Sequence, residues 1–104
     1  MANYLLAYQG GSMPEGEAEQ QKVLADWMSW FGTLGSSIVD AGNPIGASAS
    51  ISSAGQVSDG GRSALTGYSI ISAGSLGEAT DQAKGCPVLS SGGSVDVYEI
   101  TPVG

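Results

Sequence analysis

Leu24, Trp27, Phe31, Leu34 and Ile38 recur in steps of three and four. That spacing lines them along one side of an α-helix. A helix with a single apolar stripe must bury it against another layer of structure, so the chain is expected to be layered. Val23 and Trp30 flank the stripe, while Glu19, Lys22, Asp26 and Ser29 lie largely elsewhere. Trp27 is thus expected in the core. Trp30, off the centre of the stripe, is the better candidate for a pocket or an interface. Gly35 marks the end of the helix.

The segments around this helix supply the second layer. Tyr4 to Tyr8 is a short aromatic and aliphatic run ending at Gly10-Gly11, which reads as a buried strand. Ser12-Met13-Pro14-Glu15 has the pattern of a capping box, and Glu15, Glu17 and Glu19 favour a helix N-terminus. Val39 to Ile45, with Gly42 and Pro44, reads as a turn into an irregular strand. Ala47 to Ser53 alternates small and polar residues around Ile51, as a weakly apolar strand does. Ala54-Gly55 and Ser58-Asp59-Gly60-Gly61 are turn signals on either side of Gln56-Val57. Leu65 to Ala73, containing Tyr68, Ile70 and Ile71, is the expected central strand. Ser75-Leu76-Gly77-Glu78 forms a second capping box, with Leu76, Ala79 and Ala83 on one face of a short helix. Gly85 is placed to cap that helix and Pro87 to stop it. Val95, Val97, Tyr98 and Ile100 form a last strand.

Strand, long helix, strands, short helix, strand is the order of an α+β domain with both helices on one face of an antiparallel sheet. The expectation is a ferredoxin-like βαββαβ fold over a single domain, residues 1–104. Such a sheet leaves its other face bare. The same face of a second subunit is expected to cover it, giving a two-fold homodimer.

Composition narrows the function classes. Three basic residues against ten acidic ones give a net charge of −7. Lys22, Arg62 and Lys84 cannot build the basic face that nucleic acid or an anionic membrane requires, so neither is an expected partner. Cys86 is the single cysteine, which rules out an intramolecular disulfide and agrees with a reducing cytoplasm. No signal peptide and no membrane-spanning segment is evident. With no histidine, a Ser-His-Asp triad is impossible and a metal site is poorly supplied. The Gly-Gly pairs lack the Lys-Ser/Thr of a phosphate-binding loop, and no cofactor is expected.

Read together, several short pieces resemble the YCII-related family, in particular its branch of DGPF-domain proteins. These are Tyr4-Leu5-Leu6-Ala7-Tyr8, Trp27-Met28-Ser29-Trp30-Phe31, Val57-Ser58-Asp59-Gly60, Gly67-Tyr68-Ser69-Ile70-Ile71, and Cys86-Pro87 followed by Gly92-Gly93-Ser94-Val95-Asp96-Val97. The resemblance implies a dimeric α+β barrel with a cleft between sheet and helix layers. It departs from the family in two places. Asp59-Gly60-Gly61-Arg62 stands where the branch has Asp-Gly-Pro-Phe, and the His of the family's proposed acid–base pair is missing. Only Asp59 carries over, as the first residue of the Asp-Gly motif.

The candidate site follows from these readings. Asp59 is the candidate general base or ligand acceptor. Arg62 is suited to a carboxylate, and Gly60 to exposing backbone N–H groups. Tyr8, Trp30 and Tyr68 would line a ligand pocket with polar handles. The competing explanation for Asp59 is an ordinary Asp-Gly turn, and for the aromatics it is core packing or an interface. Three functions fit: a cytoplasmic small-molecule-binding domain, an enzyme moving a proton on a small acid or lactone through Asp59, or an accessory dimer in sigma-factor signalling. The last two rest on family analogy.

Overall fold

The computed structural model describes residues 1–11, 14–59 and 65–103. The first strand, β1 (Ala2–Gln9), alternates inward and outward, so Tyr4, Leu6 and Tyr8 share one buried face. Then follow α1 (Glu17–Leu34), β2 (Ile38–Asp40), β3 (Ala49–Ile51), β4 (Val57–Asp59), β5 (Leu65–Ala73), α2 (Leu76–Ala83) and β6 (Ser94–Ile100). Single 3₁₀ turns over Gly35–Ser37 and Pro87–Ser91 close the two helical crossovers.

The main sheet has the order β2-β5-β1-β6, and every pairing in it is antiparallel. With β3 and β4 set aside, its strands read second, third, first, fourth across the sheet, with a helix in each crossover. This α+β arrangement is compatible with the ferredoxin-like βαββαβ fold. Among the described residues, β3 and β4 pair with each other alone, as a separate two-stranded sheet.

One face of the main sheet holds the core. Tyr4, Leu6 and Tyr8 of β1 lie beside Ile71 and Ala73 of β5, with Trp30, Leu34, Ala79, Ala83, Cys86 and Val88 above them. α2 is fixed at its start as expected. Ser75 Oγ accepts from the Glu78 N–H at 3.1 Å, and the Glu78 carboxylate accepts from the Gly74 N–H at 3.0 Å. Gly35, at φ 55°, ends α1, its N–H donating to the Phe31 carbonyl.

Several expectations need correction. α1 begins at Glu17 behind an extended Gly16, with no side-chain cap, so the capping box expected at Ser12-Met13-Pro14-Glu15 does not start it. Ser12 and Met13 lie outside the described residues. The Gln20 amide instead ties back to the Pro14 carbonyl at 2.8 Å. Only the C-terminal half of α1 reaches the core, which leaves Leu24 exposed although it continues the apolar stripe. In the same way Leu76 is exposed, and Ala79 and Ala83 alone form the buried face of α2. Ser58 and Asp59 belong to β4 rather than to a turn. The other expected turn, at Ala54-Gly55, is the hairpin turn, where the Gly55 N–H donates to the Ser52 carbonyl at 2.9 Å. Gly85 does not cap α2 in a left-handed conformation. It lets the Trp30 indole close in, since a Cβ there would sit 3.1 Å from the ring.

The chain is flat, with extents of 45 × 38 × 18 Å. Its radius of gyration is 15.2 Å, against about 13 Å for a globular chain of this length. Its accessible surface is 6780 Å², about 1,400 Å² more than a folded monomer of 10.4 kDa typically shows.

Candidate functional site

Two environments hold the candidate residues, and the sheet separates them. On the helix side, the Tyr8 hydroxyl donates to Ser69 Oγ at 2.7 Å, and Ser69 Oγ donates to the Ala41 carbonyl at 2.6 Å. Ser69 is on the buried face of β5, and its hydroxyl carries the hydrogen-bond chain from the core to the strand edge. Gly42, next to Ala41, has φ 79° and passes against the Tyr68 carbonyl, where a Cβ would overlap it. The local backbone is shaped so that Ala41 meets Ser69.

Aromatic rings close over this chain. Trp27 meets Tyr8 edge-on at 5.2 Å between centroids, and Trp30 meets Trp27 at 5.8 Å. The Trp30 indole N–H donates to the Gln82 carbonyl at 3.1 Å, joining α1 to α2. Trp30 is therefore core and Trp27 is half-buried, the reverse of the expectation. Position on the stripe did not decide it; the α2 carbonyl that takes the indole proton did.

Cys86 is buried among these groups. Burial pushes its thiol up to about 11, with the Val88 backbone and the Tyr8 hydroxyl pulling weakly the other way. Burial likewise raises the Tyr8 phenol, against the opposing effect of its bond to Ser69. Both groups stay protonated at neutral pH, so neither serves as a base or a thiolate nucleophile. This network holds the layers together.

The opposite face of the sheet is open. Residues paired across strands point the same way, so the register defines it. Leu5 lies between Ile70 and Tyr98, Ala7 between Tyr68 and Asp96, and Asn3 between Ser72 and Ile100. Among the described residues no helix covers this face, although Ala7 itself is buried between its neighbours. Tyr98 is 54% exposed and Val39, at the β2 edge, 53%. Asp96 is half-buried and accepts from the Gln9 amide at 2.9 Å, so one carboxylate–amide pair stands beside the apolar rows.

The expected site residues are thus divided. Tyr8 and Trp30 face the helices, Tyr68 faces the open side, and Asp59 ends the exposed strand β4. Gly60 and Arg62 lie outside the described residues. The structure does not gather Tyr8, Trp30, Tyr68 and Asp59 into one pocket. The sequence reading missed Ser69, Gln9 and Asp96; an isolated Ser on the inward side of β5 was the available signal for the first.

Concave surface on the helix side is limited. A groove of about 290 Å³ between α1 and α2 is bordered by Trp30, Leu34, Asp81, Gln82 and Gly85. At this seam the buried Gln82 Oε1 finds no hydrogen-bond partner among the described residues. Also among the described residues, no group of three or more His, Cys, Asp or Glu side chains is placed to hold a metal, and no helix is long and apolar enough to cross a membrane.

No protein-family model matches the chain, and no curated protein matches it. The resemblance to YCII-related proteins therefore stands on the quoted motifs alone.

Proposed function

We propose that this protein is a YCII-like small-molecule-binding domain of the dimeric α+β barrel type. In this reading two copies pack their open sheet faces together and hold the ligand between them. The observation that carries it is the open face itself: Leu5, Ile70, Tyr68 and Tyr98 beside the Gln9–Asp96 pair, with no helical layer over them among the described residues. A surface of apolar rows with one half-buried carboxylate suits a ligand with a flat apolar body and a hydrogen-bond donor. The excess surface of about 1,400 Å² exceeds the roughly 800 Å² that each partner gives up in a standard interface.

The distribution of charge supports the same face. Glu15, Glu17, Glu19, Asp26, Glu78 and Asp81 all belong to the two helices and their approaches, whereas the open face carries Asp40 and Asp96. Solubility is supplied on the helix side. A cytoplasmic setting fits the single, buried Cys86.

Native mass spectrometry of the gently purified protein tests the reading. A dimer carrying a small molecule is expected, and Tyr68→Ala should lose the molecule while remaining folded. A ligand that survives Tyr68→Ala unchanged would remove the open face from the site. Turnover of a small acid or lactone that Asp59→Asn abolishes would replace binding by catalysis.

A further inference from the structure

Among the described residues, the hairpin of β3 and β4 pairs with no other strand of its own chain. Chain tracing shows where it goes. After β2 the backbone continues along β5, with the Asn43 carbonyl accepting from the Tyr68 N–H and the Ile45 N–H donating to the Thr66 carbonyl at 3.0 Å. It then runs past the start of β5 and forms the arm, two strands of three residues each. A two-stranded hairpin this short is at best marginal in water unless something packs on it.

The arm has a sided character. Ile51 pairs with Val57 and Ala49 with Asp59, and these four share one side; Ser50 and Ser58 occupy the other. Ile51 and Val57 are 72% and 70% exposed, so the arm does not fold back on its own sheet. An exposed apolar pair with a carboxylate beside it is a contact surface without a contact.

We infer that the arm of each protomer docks through its Ile51–Val57 side on the open sheet face of a second copy, delivering Asp59 to the partner's ligand site. The inference rests on the dimer proposed above and adds a residue to that site from the other chain. A second copy fits better than another class of partner for two reasons. The surface excess of about 1,400 Å² per chain is more than the roughly 800 Å² that one partner gives up in a standard interface, which leaves area for an arm contact beside the sheet contact. The arm and the open face are also two uncovered apolar surfaces of one chain. The arrangement also gives a role to Asp59, which ends the exposed strand β4.

Two experiments on the full chain test it. The double variant Ile51→Asp, Val57→Asp should raise the dimer dissociation constant at least about tenfold in sedimentation equilibrium, while leaving the far-ultraviolet spectrum unchanged. Separately, Val57→Cys labelled with a benzophenone maleimide should give covalent dimers on irradiation, with cross-links mapping to β1, β5 or β6 of the other chain. The buried Cys86 is shielded from this reagent. Cross-links confined to the labelled chain, or an unchanged dissociation constant in a dimeric wild type, would overturn the arm's role and leave the dimer standing. A wild type that is monomeric throughout would overturn both.

Discussion

The two faces of the main sheet are built from the same strands and have opposite fates. On one, Tyr4, Leu6, Tyr8, Ile71 and Ala73 are sealed under Trp30, Leu34, Ala79, Ala83 and Val88. On the other, Leu5, Ile70 and Tyr98 form a comparable row that no helix among the described residues covers. Polar groups differ in the same way. Ser69 and the Trp30 indole have committed partners inside, whereas Asp96 accepts from the neighbouring Gln9 amide at the open surface. A single chain has thus sealed one side of its sheet, and in the proposed dimer a second copy would cover the other.

The comparison breaks if the sealed face proves tolerant. Trp30→Ala removes a buried ring and the bond to the Gln82 carbonyl, and should cost about 3–5 kcal/mol in chemical denaturation. Alkali should act on the same side. Cys86 keeps its proton to about 11, compared with 9.0 for an ordinary thiol, so its contribution is complete below pH 9 and is lost as the pH rises through 11. The loss should be on the order of 2 kcal/mol, and Cys86→Ala should make the profile shallower between pH 9 and 10, where the raised Tyr8 phenol does not yet add its own loss. Ser69→Ala strands the Tyr8 hydroxyl and the Ala41 carbonyl and should cost about 2 kcal/mol. Removing the Ser75 cap with Ser75→Ala should cost about 1 kcal/mol. On the open face Tyr98→Ala should change the stability of the dilute monomer by less than about 0.5 kcal/mol, although it weakens association. Comparable costs for Tyr98→Ala and Trp30→Ala would mean the faces are not distinct.

Sequence patterns carried the frame of the molecule and failed where a tertiary partner decided. β1, the body of α1, β5, α2 and β6 were legible because each has a strong period or a capping pair such as Ser75 and Glu78. The exchange of Trp27 and Trp30 was not legible, since helical spacing cannot say which ring will find a carbonyl on another helix. Leu24 continued the stripe but lies where α1 has already left the sheet. Residues 39 to 59 were the least legible stretch. Their short strands are held by edge pairings such as Pro44 with Gly67, which no local propensity records. For the site, single aromatic residues were visible but their sides were not. Tyr8 and Tyr68 lie near one another in the sheet, yet the register of β1 against β5 sends them to opposite faces.

That the open face is an interface is tested most directly by sedimentation equilibrium of the wild type beside Tyr98→Asp. The wild type should sediment at twice the 10.4 kDa chain mass at micromolar concentration, and the variant, still folded, at the single-chain mass. A monomeric wild type, or a variant that dimerises as tightly as the wild type, would contradict it.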